Sequence, residues 1–204
     1  LARILERCGR TVLRENHLGD WGLPIAMVLY RLREAGVNLD TLQLPDLDAA
    51  YRDGQLVTKM DERGLSIVSE RNIGAHRIAE LEEQNAGAQE QRDAAATTLV
   101  ALQREDPELV ADWRKLIDCT MRAVIDILDK LGVALGPEHN RGESFYREHL
   151  PDIVDLFTRE RLAVEDDGAL VVRFEDRERP MLIRKSNGGY LYATTDLAAI
   201  RHRV

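Results

Sequence analysis

The sequence predicts an α/β fold that is mostly helical: one slice of a doubly wound sheet, a helical insertion and a small β-containing region. Three observations lead there. A strand-like run, Thr11 to Glu15, feeds a polar, glycine-punctuated loop and then a helix, the order found where ligands bind at the carboxyl edge of open α/β sheets. Leu109, Trp113, Leu116, Ile117, Met121, Val124, Ile127, Leu128 and Leu131 recur at helical spacing. Residues 162–174 instead read as a hairpin, with Asp-Gly at its turn.

The elements follow in order. Residues 1–8 read as the end of a helix, with Ile4 and Leu5 inward and Gly9 as its stop. Thr11 to Glu15 is the strand, and Asn16 to Gly22 the loop beyond its carboxyl end. Residues 23–35 carry Ile25, Val28, Leu29 and Leu32 on one helical face, with Pro24 tolerable in the first turn. Asp46 to Tyr51 reads as a short helix. Residues 60–104 are charged and alanine-rich, one long helix or two, with Gly74 and Gly87 as weak points. Asp106-Pro107-Glu108 is a helix start, an N-cap followed by proline and an acid, and Gly132 ends that helix. Asp152 to Arg161 is a short helix. Met181 to Arg184 and Tyr190 to Tyr192 are strands, and a last helix runs from Thr194.

Composition narrows the function classes. The chain has 204 residues, 44% of them hydrophobic, enough for one large domain or two small ones. No apolar run is long enough to span a bilayer, and the first residues lack the apolar core of a signal peptide. The chain lacks an initial methionine and opens inside an apparent helix, so it reads as a cut fragment of a cytoplasmic protein. Cys8 and Cys119 form no metal-type cluster and are expected as reduced core residues. A formal charge of −8 argues against strong autonomous binding to nucleic acid, which needs Lys and Arg to neutralise phosphates.

The densest information lies at Asn187 to Ala199, where a glycine pair feeds a short aromatic strand and a helix start. Thr194 or Thr195 can cap that helix, with Asp196 in its first turn. Tyr192 and Asp196, four residues apart, can point a phenol and a carboxylate into one pocket. A buried carboxylate needs a cation, and a guanidinium satisfies it best through a bidentate pair. By spacing alone, Tyr192 reads more simply as a core aromatic and Asp196 as a capping acid.

Gly188-Gly189-Tyr190-Leu191-Tyr192-Ala193-Thr194-Thr195-Asp196-Leu197-Ala198-Ala199 closely resembles a stretch of the arginyl-tRNA synthetases, class I ligases with a Rossmann-type catalytic domain. Asn16-His17-Leu18-Gly19-Asp20-Trp21-Gly22 resembles a second signature, and Gly142-Glu143-Ser144-Phe145-Tyr146 with Leu150-Pro151 a third, all in the family's order. The resemblance implies that Tyr192 and Asp196 contact substrate arginine, and that Asn16, His17 and Asp20 line the cleft. It implies that Glu143, otherwise a turn or helix cap, faces the acceptor end of tRNA. Leu23-Pro24-Ile25-Ala26 departs from the family's usual Thr-Gln-Phe-Gly, so polar contacts made there in relatives are not expected.

The implied parts are 1–38, catalytic and Rossmann-type; 39–140, a helical insertion; 141–179, a connective insertion with the hairpin; and 180–204, a return to the catalytic part. The implied whole protein is monomeric and joins L-arginine to tRNA(Arg), with ATP and Mg2+ as substrate. Two decoys fail. His17-Leu18-Gly19-Asp20 looks like a His-x-Gly-His signature but follows a strand, and Lys59-Met60-Asp61-Glu62 precedes the Tyr-Leu-Tyr segment it should follow. With neither signature present, no catalytic residue, metal ligand or tightly bound cofactor is assigned, and the fragment alone is expected to be inactive. The alternatives are a helical interaction module over 39–132 and a paralogue that uses arginine in another reaction.

Overall fold

Helix caps and apolar stripes account for the middle of the chain. The computed structural model describes residues 1–204 as eight α-helices, three short 3-10 segments and a three-stranded sheet. The chain divides into two units, Trp21–Ala134 and Leu1–Asp20 with Leu135–Val204. Helix α1 (Ala2–Arg7) lies in the second of these, and α2 (Leu23–Glu34), α3 (Leu44–Val57), α4 (Glu62–Glu70), α5 (Ala75–Gln103) and α6 (Pro107–Lys130) in the first. No helix is long and apolar enough to cross a membrane.

Helix α2 is the centre of the helical unit. Its Ala26, Met27, Val28, Leu29 and Leu32 are buried, and it packs against α3, α5 and α6. Trp21 meets Trp113 of α6 edge to face, with ring centroids 5.2 Å apart. Leu29, Leu32 and Leu102 complete a core in which each fully buried side chain contributes about 1.5–3 kcal/mol. Asp106 caps α6 as expected, accepting from the Glu108 and Leu109 N–H groups. Residues 60–104 form two helices broken at Gly74, and the alanine-rich tract is helical straight through Gly87. The short helix expected at Asp46–Tyr51 extends to 14 residues, and Asp46, accepting from the Gln43 N–H, fixes its start at Leu44. Residues 21–38, grouped from sequence with the N-terminal part, belong by contact to the helical unit.

The apolar stripe of α6 is only half used. Leu116 and Trp113 are buried, whereas Ile127 is 53% and Leu131 70% exposed. Cys119 is a core residue whose thiol donates to the Leu42 carbonyl, but Cys8 is exposed, against expectation.

The other unit contains α7 (Leu150–Arg159), β1 (Val164–Asp166), β2 (Ala169–Val172), β3 (Met181–Arg184) and α8 (Tyr192–Arg203). The strands pair antiparallel in the order β1-β2-β3, with Asp166 opposite Ala169. Asp167 and Gly168 turn the hairpin with φ of 47° and 76°, the left-handed pair that such two-residue turns require. Ile183, Leu170, Val154 and Ala163 pack under the sheet, and Tyr146, Leu150, Ile153, Ala198 and Ala199 form a neighbouring cluster.

Three expectations are corrected in this unit. Ile4 and Leu5 point outward, 64% and 39% exposed. Thr11 to Glu15 is not a strand, so the doubly wound parallel sheet is absent and the sheet that forms is antiparallel. A strand needs a ladder partner, and here the parallel pairing begins only at Asn16, which bridges Asn140. Asn16 N–H donates to His139, Arg141 N–H to Asn16 and Glu143 N–H to Leu18, after which a 3-10 segment takes residues Glu143–His149 away. Tyr190 likewise makes a single bridge to Arg184, and the helix begins at Tyr192 rather than Thr194.

Candidate functional site

Segment 16–20 is held against segment 139–144 by side chains as well as backbone. Asn16 donates from Nδ2 to Asn140 Oδ1 at 3.1 Å. Asp20 accepts from the Ser144 N–H at 2.9 Å through Oδ1 and from the Ser144 hydroxyl at 2.6 Å through Oδ2. Both carboxylate oxygens are therefore engaged, and Asp20 acts as a strut between two segments 124 residues apart. Gly142 makes this possible. A Cβ there would lie 2.2 Å from Asp20 Oδ2, which no side chain allows.

Helix α8 carries the other predicted residues. Tyr192 is 58% exposed, and Asp196 is exposed in the second turn of the helix. The expectation of a first-turn carboxylate under a threonine cap is corrected, because neither Thr194 nor Thr195 caps the helix. The Thr194 hydroxyl is buried and donates to the Ile183 carbonyl, so it anchors α8 to β3. That leaves Tyr192 and Asp196, one turn apart, presented on an outer face rather than enclosed in a core.

Electrostatics join the two sides. Glu143, half-buried at the start of its 3-10 segment, has its carboxyl pushed up to about 7. Burial is the largest cause, followed by the negative charges of Asp20 and Asp196. Three carboxylates from three segments thus share one neighbourhood, although they do not form a metal-ligand cluster. The charges of Asp20 and Asp196 both reach Glu143, a grouping that the sequence reading, which gave the three separate roles, did not foresee. Asn16 is turned to Asn140, and His17 is exposed with its ring 6.0 Å from Tyr146.

Several residues with a part in this site were not named as candidates from the sequence, although Phe145 and Tyr146 lie inside the third signature. Tyr146 is fully buried, with Phe145 edge-on at 5.1 Å and His202 at 5.8 Å. Its hydroxyl is buried near the Arg203 guanidinium without reaching hydrogen-bond geometry. Arg141 stacks on Phe145 at 4.9 Å and donates to the Glu138 and Asn140 carbonyls. Glu15 accepts from Arg203 Nε at 2.6 Å, and that cation holds the Glu15 carboxyl below the ordinary range. Pairings across 188 residues leave no periodicity to read.

Residues 1–204 match the family described as tRNA synthetases class I (R), catalytic domain. The fold and its motifs are thus those of a mostly helical piece of a class I synthetase catalytic domain. The chain belongs to the arginyl-tRNA synthetase family. It is 34% identical over 210 residues to the arginine-tRNA ligase of Chromobacterium violaceum, covering all of this chain and 32% of that protein. It is 37% identical over 211 residues to that of Frankia casuarinae, again covering all of this chain and 32% of the relative. The chain thus spans about a third of the length of the curated relatives it matches. The crystal structure of arginyl-tRNA synthetase from Plasmodium falciparum shares the fold, with a TM-score of 0.62 at 24% identity over 99% of this chain and 29% of that one.

Proposed function

We propose that the whole protein ligates L-arginine to tRNA(Arg) and that this chain supplies the wall that selects arginine. In the first step the arginine carboxylate attacks the α-phosphorus of ATP and pyrophosphate leaves, with Mg2+ accompanying the nucleotide. In the second, a hydroxyl of the terminal ribose of tRNA attacks the carbonyl and AMP leaves. Both steps depend on positioning and charge stabilisation more than on acid–base chemistry. Asp196 receives the guanidinium as a bidentate pair, and the Tyr192 phenol packs beside it. Lysine, a point charge without the planar fork, fits this arrangement less well. Asn16 and His17 line the cleft, and Asp20 braces it through Ser144.

The observation that carries this reading is the electrostatic meeting of Glu143 with Asp196. Burial, then the charges of Asp20 and Asp196, make the Glu143 carboxyl costly to ionise, and a cation such as an arginine side chain would relieve that cost. That favours Glu143 as part of the field around the guanidinium over the acceptor-end role implied by resemblance. The enzyme works in the cytoplasm as a monomer. The 204 residues alone do not activate arginine, and pyrophosphate exchange by that piece would refute this part.

The decisive variant is Asp196→Ala in the full-length protein. Arginine-dependent pyrophosphate exchange should fall by about 100-fold or more, roughly 2.7 kcal/mol of lost binding. Unchanged exchange would overturn the assignment.

A further inference from the structure

The geometry points to Glu15 and Arg203 as positioning residues that lock α8 against segment 16–20 and so fix where Asp196 stands. This rests on the arginine-site reading above. Arg203 lies on α8, and its Nε donates to Glu15 Oε2 at 2.6 Å. His202 adds a contact, with Nε2 3.6 Å from the other Glu15 oxygen. Glu15 immediately precedes Asn16 and His17, so the pair ties α8 at Arg203 to the root of the loop. The Glu15 side chain is 19% exposed and that of Arg203 44%, so solvent reaches the pair from the Arg203 side.

The aromatic residues make the junction a fixed one. The fully buried Tyr146, with Phe145 beside it in its own segment, meets the two others through His202 of α8 and His17 of the loop. Phe145 and His202 also meet edge-on at 5.1 Å. Such contacts resist sliding but tolerate small rotations of a helix about its axis. Thr194 anchors the start of α8 to β3, and the ion pair adds a restraint against rotation at Arg203.

Helix geometry connects that restraint to the site. Tyr192, Asp196, Ala199 and Arg203 stand at intervals of four, three and four residues, which puts them within an arc of about 60° at 100° per residue. Ala199 on that face is buried in the cluster around Tyr146. Asp196 and Arg203 are two turns apart on one face, so a rotation that pulls Arg203 from Glu15 turns Asp196 away from Glu143 by the same angle. Neither Glu15 nor Arg203 needs to touch arginine to control its binding.

The test is steady-state pyrophosphate exchange with the full-length protein carrying Glu15→Gln, Arg203→Met, Arg203→Lys or the charge-exchanged pair Glu15→Arg with Arg203→Glu. Each of Glu15→Gln and Arg203→Met should raise the arginine KM about fivefold, the size of a lost partly exposed pair of about 1 kcal/mol, with the ATP KM unchanged. Arg203→Lys and the exchanged pair should regain most of that loss. An arginine KM that stays put, a KM for ATP that rises equally, or an exchanged pair that regains nothing would overturn the proposal. Asp196→Ala is measured alongside. A raised arginine KM there with none in Glu15→Gln and Arg203→Met removes the positioning role alone, whereas no change in Asp196→Ala removes the site reading and this inference together.

Discussion

The helical unit and the unit that carries the site hold themselves together by different means. Residues 21–134 are organised by apolar stripes, with Leu29, Leu32, Leu102 and the Trp21–Trp113 contact at the centre. Residues 1–20 with 135–204 have smaller apolar clusters and rely on long-range polar ties: Asn16 to Asn140, Asp20 to Ser144 and Glu15 to Arg203. The dividing point falls inside one motif, because Asp20 serves the polar network and Trp21 the helical core. Burial is non-directional and forgiving of detail, whereas a carboxylate aimed at two donors fixes position closely. That is the division expected of a scaffold and a site.

The largest effect should come from the scaffold. Trp113→Ala removes the edge-on partner of Trp21 and leaves a cavity in the main core, costing about 3–5 kcal/mol in urea denaturation. A loss under about 1 kcal/mol would mean that helix propensity and caps rather than packing hold this unit.

A pair of glycine substitutions sharpens the contrast. Gly142→Ala forces Asp20 from Ser144 and should cost about 2–3 kcal/mol, the scale of hydrogen bonds to a charged group. Arginine-dependent exchange should fall with it. Gly87 sits within α5 with nothing within 4 Å of an added Cβ, so Gly87→Ala should stabilise by roughly 0.5–1 kcal/mol. Thermal melting of both variants decides the matter, and equal signs would erase the distinction between the two units.

Glu143 gives the site a pH signature that the helical core lacks. Its folded carboxyl titrates at about 7, against an ordinary value of 4.5 in the unfolded chain. The folded state therefore holds the proton longer. The associated stability is complete below pH 4.5 and is lost as pH rises through 7. Glu143→Gln should remove this slope, matching the parent protein at pH 4 and exceeding it by about 1–2 kcal/mol at pH 8 once solvent screening is allowed for. Melting curves across that range check the sign; a variant less stable at pH 8 would contradict it.

What could be read from the sequence follows the same division. The stripe and N-cap of α6, the break at Gly74 and the Asp167-Gly168 turn are local signals, and each formed where expected. The motif residues Asp20, Glu143 and Asp196 were named through resemblance, each for a separate role, and the reach of the Asp20 and Asp196 charges to Glu143 was not part of that reading. What failed depended on partners far along the chain. Thr11 to Glu15 has strand composition but no ladder partner until Asn16. Thr194 has the chemistry of a cap, yet β3 runs close enough for its hydroxyl to take the Ile183 carbonyl instead. The exposure of Ile127 and Leu131 shows that a perfect 3.6-residue stripe states what a helix could bury, not what it does bury.

Two aspartates state the difference in its smallest form. Asp106 accepts from the N–H groups two and three residues ahead, at 3.1 and 3.0 Å, so the three letters Asp-Pro-Glu suffice to name its role. Asp20 makes the same kind of bond to Ser144, 124 residues away, and nothing near it in the sequence names that partner. Asp106→Ala should cost only about 1 kcal/mol, because water reaches the freed N–H groups at an exposed helix end. The urea midpoint should shift with no change in slope and no effect on arginine KM. Asp20→Ala should cost more and should raise that KM, since it frees the segment bearing Glu143. If the two substitutions proved equal in both respects, the Asp20–Ser144 tie would be another local cap, and the site would owe its geometry to packing alone.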